Sequence, residues 1–505
     1  MDLFHNILTG FQVTLQPINL LYCFVGVFIG TLIGVLPGIG PVSTMAILFP
    51  VTFRISPVAA MIMLSGIYYG AQYGGSTTSI LVNIPGEASS IVTCLDGYQM
   101  ARKGRAGAAL GIAAFGSFIA GTLSLVGLML LTVPLADAAL KFGPPEYFAL
   151  MTLGLILVSF LARESMIKAL AMAVLGLTLS FIGLDLITGE PRFTFDITDF
   201  MDGLGVVPLV MGLFGISEVL INLEDEIQQT IPQTRIKDLF PTIQDWKDST
   251  KPILRGSVLG FLIGIIPGTG SILASFVSYA VEKRCSRTPE KFGTGIIEGV
   301  AGPEAANNAA VSGGFISLFT LGIPSNAIMA LLLGAMLIHG LQPGPMFLSE
   351  HPDIFWGVIA SMYVGNVMLL VLNLPLIGLW VQVLRVPYRI LFPLILVFCL
   401  IGAYTINNSK TDVFVMIFFG VVGYLMRKFR YEAAPLVMAF VLGPMWESSL
   451  RQSLLMFKGN FSFFLVRPIA MVSFIVALAL LLSPALSFFR KKKELLRDLE
   501  TEDGM

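Results

Sequence analysis

Residues 30–40 read GTLIGVLPGIG and residues 260–270 read GFLIGIIPGTG; seven of the eleven positions are identical and the rest are mostly apolar exchanges. Each copy is an apolar segment broken at its centre by Pro-Gly. Proline lacks an N–H and breaks a helix, and glycine tolerates the turn that has to follow. The copies sit within residues 18–53 and 252–282, each with two apolar arms around the break. Each arm is shorter than, or barely equal to, the ~20 residues that a full crossing of a bilayer needs. The segments therefore read either as re-entrant hairpins with tips at membrane depth or as long kinked helices.

The surrounding composition explains why membrane depth is the right frame. Of 505 residues, 55% are hydrophobic and 12% charged, against about 25% charged in soluble domains. Apolar stretches near 107–134, 144–161, 163–183 and 203–222, and again near 352–384, 387–405, 411–426, 433–450 and 466–488, read as spans. The net charge of −1 offers no basic surface for nucleic acid. Cys23, Cys94, Cys285 and Cys399 are scattered and read as small buried hydrophobes. The three histidines form no pair at metal-binding spacing, and no GxxxxGK[ST] phosphate loop is present. The N-terminal MDLFHNILTG lacks the basic region of a cleavable signal peptide and is expected to form a short surface helix.

A second interruption also occurs twice. Residues 74–101 contain SILVNIPGEAS and residues 311–338 contain FTLGIPSNAIM, and Pro208-Leu209-Val210-Met211 recurs as Pro435-Leu436-Val437-Met438. The landmarks keep their order. This divides the chain into an N-terminal segment (1–17), a first repeat (18–222), a polar cytoplasmic linker (223–251), a second repeat (252–450), a C-terminal helix (451–489) and a charged tail (490–505).

Cytoplasmic loops of membrane proteins carry an excess of Lys and Arg. Arg102, Lys103 and Arg105 follow the broken crossing of the first repeat, while the counterpart near 339–351 has neither residue. Arg427, Lys428 and Arg430 lie in the second repeat, opposite the acidic 185–202 of the first. The bias thus changes side between equivalent loops, as inverted repeats require. With the two PGxG segments as hairpins, twenty-four Lys and Arg fall inside and seven outside. The expected fold is an all-α polytopic membrane protein of two inverted-topology repeats, each with a re-entrant hairpin and a broken transmembrane helix. It has about eleven crossings plus two hairpins, with the N-terminus outside and the C-terminus inside.

Irregular backbone survives in a membrane only where it lines a cavity or a ligand. Four symmetric interruptions therefore point to one shared midplane site. The substrate-binding candidates are Pro37, Gly38, Gly40, Ser43, Ser76, Thr77, Thr78 and Asn83 from the first repeat. The second offers Pro267, Gly268, Gly270, Ser271, Asn307, Asn308, Pro324, Ser325 and Asn326. Exposed helix N-termini attract anions, and helix C-termini with Ser, Thr and Asn oxygens suit Na⁺. Coupling-ion candidates are Gly38, Thr44, Asn83, Thr269, Glu304 and Asn308; Na⁺ would be the sole metal, with H⁺ the other coupling ion considered. Glu304 reads either as that ion site or as a capping carboxylate near the cytoplasmic face. Glu87, Glu218 and Glu447 read as capping or interfacial groups. Residues 283–303 read as a cytoplasmic surface segment. No paired carboxylates or nucleophile–base arrangement suggests an intramembrane enzyme, and a channel or another small-anion carrier is the remaining alternative.

The stretches GTLIGVLPGIGP, YYGAQYGGSTTSILVNIPGEASS, LDGYQMARKGRAGAALGIAAFGSF and GPEAANNAAVSGGFISLFTLGIPSNAIMALLLGA resemble the large membrane subunit of the tripartite tricarboxylate transporters, the TctA type. The resemblance runs over nearly the whole chain. It implies a bacterial inner-membrane permease and secondary transporter that works with a small TctB-type membrane subunit. It also implies a TctC-type periplasmic solute-binding protein that delivers carboxylates such as citrate, with import driven by an ion gradient, usually Na⁺. The spans outside the hairpins and broken crossings are expected to supply a scaffold and a homodimer contact. An elevator-like motion is expected, with rocking of the halves as the alternative.

Overall fold

The computed structural model describes residues 3–36, 40–160, 162, 165–185, 188–224, 239–268, 270–383, 388–461 and 466–482. Most of these residues are helical; one short antiparallel pair, Gly183–Leu184 with Pro191–Arg192, supplies the strands. In chain order the helices of the first half are α1 (Leu3–Thr14), α2 (Pro17–Val35), α3 (Pro41–Thr52), α4 (Pro57–Val82), α5 (Ile91–Arg102), α6 (Ala106–Ala139), α7 (Pro144–Phe160) and α8 (Met166–Ser180). They are followed by α9 (Val206–Val210) and α10 (Ser217–Asn222), joined through a π-helical segment at Met211–Ile216. The second half has α11 (Ile243–Ile265), α12 (Gly270–Cys285), α13 (Glu298–Ile316), α14 (Ala327–Ile338), α15 (Phe347–Glu350), α16 (Pro352–Asn373), α17 (Ile377–Val383), α18 (Tyr388–Asn407), α19 (Lys410–Lys428), α20 (Ala433–Met456) and α21 (Pro468–Leu482). Four helices, α2, α6, α16 and α20, are long and apolar enough to cross a membrane by length and composition. The shorter apolar helices include α3, α7, α8, α14 and α21.

Small residues set how the helices meet. Gly26, Gly30 and Gly34 of α2 lie against the backbones of Met63, Ile67 and Ala71 of α4, where a Cβ would collide. The numbers rise together, so α2 and α4 run in the same direction. Gly256, Gly260 and Gly264 of α11 lie in the same way against Gly302, Ala306 and Ala310 of α13. A small residue every fourth position lets backbones approach closely, and van der Waals contact then replaces the hydrophobic drive that lipid does not supply.

Both α4 and α13 stop in the same manner. Asn83 ends α4 in the left-handed region at φ 59°, and Gly322 ends the π-helical continuation of α13 at φ 67°. Asn and Gly are the residues that accept that conformation. Ile-Pro follows each, at 84–85 and 323–324, and proline prevents the helix from resuming. Gly74-Gly75 and Gly313-Gly314 precede the two breaks at equal spacing, and both Gly74 and Gly313 face the end of the neighbouring α2 or α11.

The expected short N-terminal helix forms as α1, with Phe4 and Leu8 exposed, and it packs on α16: Gly10 abuts Trp356, and Thr14 Oγ1 donates to the Gly357 carbonyl at 2.8 Å. Three expectations change. The apolar stretch 352–384 is two helices, α16 and α17, interrupted at 374–376. Residues 298–303 are not a surface segment but the buried start of α13, whose glycine and alanine side abuts α11. Residues 286–297 do form a loop, anchored by Asp96 of α5: its carboxylate accepts from Tyr279 Oη (2.9 Å) and from the backbone N–H groups of Gly293 (3.0 Å), Gly295 (2.7 Å) and Ile296 (3.0 Å). Gly293 and Gly295 have φ of 85° and 101°, which lets these donors converge.

Cys23 and Cys399 are buried as expected, but Cys285 is exposed at the end of α12; all four cysteines are free thiols.

Candidate functional site

The two breaks face each other across the halves. Asn326 caps α14 by accepting from the Met329 N–H (2.9 Å), and its Nδ2 donates to Tyr68 Oη of α4 (2.6 Å). Counting from the matched Gly-Gly and Ile-Pro landmarks, Asn326 answers to Glu87 and Tyr68 answers to Asn307. Glu87 caps the 3₁₀ turn before α5, and Asn307 Nδ2 approaches its Oε1 at 3.4 Å. One crossing contact is therefore made twice, with the roles of the halves exchanged.

Between these contacts lies a buried polar cluster. Glu304 of α13 is fully buried. Ser76 of α4 donates to its Oε2 at 2.5 Å, and Thr93 of α5 donates to its Oε1. Among the described residues no Lys, Arg or His pairs with it. It lies in the second turn of α13 and binds the other half, so it is not a helix cap. Asn308 Nδ2 donates to Ser117 Oγ of α6 (2.7 Å) and to the Glu304 carbonyl (3.1 Å). Gln72 of α4 fills the space between: its amide nitrogen is best oriented toward Glu87, Asn307 Oδ1 (2.5 Å) and Ser89 Oγ (2.7 Å). The other arm of that amide is 3.4 Å from Ser271 Oγ at the start of α12. Glu218 and Glu447 instead pair with arginines, Glu218 with Arg427 and Glu447 with Arg192 and Arg451.

The sequence candidates divide accordingly. Ser76, Thr77, Ser271, Glu304, Asn307 and Asn308 belong to this cluster or border it, and Asn326 makes the crossing contact beside it. Ser325 is buried, close to Gly314, and its hydroxyl has no hydrogen-bond partner. Pro324 is buried in the same break. Thr78 donates to the Val35 carbonyl at the end of α2 (2.7 Å), tying the first hairpin arm to the broken helix. Gly270, at φ 59°, faces the Asn326 side chain, whereas Pro267 and Gly268 (φ 85°) abut α7 at Gly154. Asn83 is exposed and serves as the helix end. Gly40 begins α3 in open space, Ser43 donates to the Phe214 carbonyl (3.2 Å), and Thr44 bonds within α3. Ser43, and with it the helix α3, packs on the π-helical segment rather than on Glu304. Pro37, Gly38 and Thr269 fall outside the described residues.

Gln72, Ser89, Thr93 and Ser117 were not singled out by the sequence. Each is an ordinary polar residue in a helix or turn, and only the tertiary fold brings it to the cluster. A second missed feature is a cavity of about 580 Å³ bounded by residues 182–185, Arg192, residues 201–204, α14 and α20. On its wall Arg192 forms a two-point pair with Glu447 (2.7 and 3.2 Å), and Arg451 forms one with Asp185 (3.1 and 2.8 Å). Arg192 and Asp185 were noticed as loop charges, but their partners lie more than two hundred residues away in sequence.

Crossed broken helices, glycine-mediated packing and a buried polar cluster with no basic side chain among the described residues define a multi-pass helical membrane protein. The chain belongs to the tripartite tricarboxylate transporter TctA family, whose model matches residues 20–438. An Agrobacterium vitis protein described as an uncharacterized 52.8 kDa protein in the TAR-I ttuC' 3' region is 51% identical over 494 residues, covering 98% of each chain. A second Agrobacterium vitis protein, described as uncharacterized and in the TAR-II ttuC' 3' region, is 48% identical over 235 residues, which is 46% of this chain and 97% of its own length. No solved structure matches.

Proposed function

We propose that this TctA-family membrane subunit is the permease of a tripartite secondary transporter that imports a di- or tricarboxylate. A periplasmic solute-binding protein of the TctC type delivers the anion, a small TctB-type subunit accompanies the permease in the bacterial inner membrane, and a Na⁺ or H⁺ gradient drives uptake. The observation that carries this reading is the paired crossing contact, Tyr68 with Asn326 and Asn307 with Glu87, which sets two interrupted helices around one buried polar cluster. That is the arrangement by which carriers place a site near the midplane and reach it from either side.

The fold enters as two inverted repeats. The parallel glycine seams of α2 with α4 and α11 with α13, the matched helix ends at Asn83 and Gly322, and the twenty-four-to-seven distribution of basic residues support it. The paired arms α2–α3 and α11–α12 are the hairpins. At twelve residues α3 spans roughly 18 Å, too short to cross the ~30 Å hydrocarbon core. The substrate anion is held by amides, hydroxyls and helix ends near Ser325, Asn326, Ser271 and Gln72, a grip without ion pairs that permits release. Glu304, buried among hydroxyls of the opposite half, is the coupling-cation carboxylate.

The test is uptake of radiolabelled carboxylates by the reconstituted three-component system under imposed Na⁺ or H⁺ gradients. Accumulation that requires the binding protein and a cation gradient supports the reading. Conductance without coupling would indicate a channel, and chemical conversion of the anion without a gradient would indicate an enzyme.

A further inference from the structure

The loop between α8 and α9 leaves large apolar side chains in the open. Phe193 and Phe195 are 56% and 76% exposed, and Leu184, Ile197 and Met201 near them are exposed as well. Phe193, Phe195 and Asp196 have φ of 53°, 51° and 59°, a conformation that a bulky side chain adopts rarely and at a cost. Neither ring is buried to offset it. The loop is nonetheless held fast. The strand pair Gly183–Leu184 with Pro191–Arg192 closes its base, and the Met201 carbonyl accepts from the Leu184 N–H (3.0 Å). Thr194, between the two phenylalanines, is buried, and Asp199 accepts from Ser409 and Thr411 at the start of α19. Arg192 and Asp185 are paired with Glu447 and Arg451 of α20. Glu190, Asp196 and Asp202 stay exposed, with no cationic partner among the described residues.

We propose that this loop, with Phe193 and Phe195 as its anchors, is the surface on which the soluble binding protein docks to release its anion. The inference rests on the carrier reading, which supplies such a partner but no surface for it. Three observations lead to it. Exposed aromatic side chains are the anchors that protein interfaces use, and a loop fixed before contact loses little entropy on binding. The unpaired carboxylates around the rings select the partner's chemistry. A protein that grips a di- or tricarboxylate carries cationic groups at its cleft, and these complement Glu190, Asp196 and Asp202. The loop also bounds the 580 Å³ cavity, whose wall carries Arg192 and Arg451 and includes the end of α14 at Gly334, Leu337 and Ile338. That helix has twelve residues, so its start at Asn326, beside the polar cluster, is roughly 18 Å away. An anion released at the loop therefore enters a space that leads toward the site. The same carboxylates argue against other occupants: an anionic lipid surface repels them, and two copies of the loop meeting face to face repel each other. The matching surface on the partner is an apolar pocket rimmed by Lys and Arg.

The experiment is binding of a purified TctC-type protein, loaded with its carboxylate, to the full-length permease and its small subunit in lipid nanodiscs. Phe193→Asn and Phe195→Asn remove the rings but keep a residue that accepts the left-handed conformation, so neither variant should unfold at a lower temperature than the native chain. Each should raise the dissociation constant roughly tenfold or more. Asp196→Asn should weaken binding less and flatten its dependence on salt. Phe429→Asn, at an exposed position after α19 on the opposite side of the inverted fold, should change nothing. In reconstituted uptake, Phe195→Asn should raise the concentration of binding protein needed for half-maximal rate and leave the maximal rate near native. A photoreactive benzoylphenylalanine at position 195 should cross-link to the binding protein. Unchanged affinity in folded Phe193→Asn and Phe195→Asn, or a cross-link to lipid or to a second copy of the chain instead, overturns the inference and leaves the carrier reading standing. Uptake that does not need the binding protein overturns the tripartite reading and this surface with it.

Discussion

The helices that follow the two near-identical motifs end in different places. In the second half, α12 folds back along α11 and α13, and Ala274 packs with Ala306 and Ala310. In the first half, α3 leaves α2 and packs on α18, on the π-helical segment at Met211–Ile216 and on α14. Sequence alone gives no reason for the difference, because the Pro-Gly-x-Gly breaks match. The physical reason is the neighbourhood: α13 offers α12 an alanine-rich face, whereas Ser43 of α3 finds a backbone acceptor at Phe214, within the π-helical segment. A carrier with inverted repeats is expected to hold them in unlike conformations, each facing state giving one repeat the role of the other. On this account α12 rides with its broken helix while α3 is docked on the scaffold.

The largest expected effect tests the part that the halves share. Gly34→Val and Gly264→Val each place a branched side chain against a neighbouring backbone, which overpacks the seam by roughly 3 kcal/mol or more. Both variants should fail to accumulate in the membrane, as membrane-fraction immunoblotting would show. If one accumulates normally and the other does not, the seams are not equivalent.

Next comes the part that differs. A disulfide between Pro50→Cys and Gly402→Cys, which lie side chain to backbone between α3 and α18, should stop uptake, and a reductant should restore it. A disulfide between Ala274→Cys and Ala306→Cys, within the α12–α13 unit, should leave uptake largely intact. The opposite pattern would favour rocking over an elevator motion.

A smaller effect comes from the crossing contacts. Asn326→Ala removes the α14 cap, worth about 1 kcal/mol, and Glu87→Ala removes the equivalent cap before α5. Thermal unfolding should show similar losses for both; a loss confined to one side would count against the matched roles.

How much of this was legible in the sequence follows from what each signal depends on. The breaks at Asn83-Ile84-Pro85 and Gly322-Ile323-Pro324 are local chemistry, since proline and left-handed residues act where they stand. Ser76, Glu304, Asn307 and Asn308 could be nominated because polar residues are rare in such apolar segments. Gln72, Thr93 and Ser117 could not, because each is unexceptional until the fold brings it into the cluster around Glu304. Ser43 and Thr44 stand beside the motif in sequence but apart from the Glu304 cluster in space, because the course of α3 is set by partners a hundred or more residues away. The start of α13 at Glu298 was hidden by its glycines and Pro303, which read as surface loop but serve close packing against α11.

The smallest effect lies at the start of α11. Asp245 is buried, which raises its carboxyl pKa, but the Thr242 hydroxyl and N–H and the Arg105 guanidinium more than offset this, so it lies below its usual 3.8. Its contribution is therefore present above pH 3.8 and lost as the pH falls through the lowered folded value. Because Arg105 is half exposed, Asp245→Asn should cost only a few tenths to about 1 kcal/mol. Thermal unfolding should show that difference near neutral pH and find it shrinking in strong acid; a difference that grew on acidification would contradict the assignment.

The inversion of the two halves is the claim on which the rest depends, and it can be measured at two equivalent loops. Asp196, in the 185–202 loop, and Arg430, after α19, are both exposed. Each would be replaced by cysteine in a background without the native thiols, Cys285 included because it is exposed. Intact cells would then be treated with a membrane-impermeant maleimide, with Gln244→Cys as a further probe at the exposed start of α11. The account predicts labelling at position 196 and protection at 430 and 244 until the membrane is opened. Labelling of 196 and 430 from the same side would show that the halves are parallel and would contradict the inverted carrier.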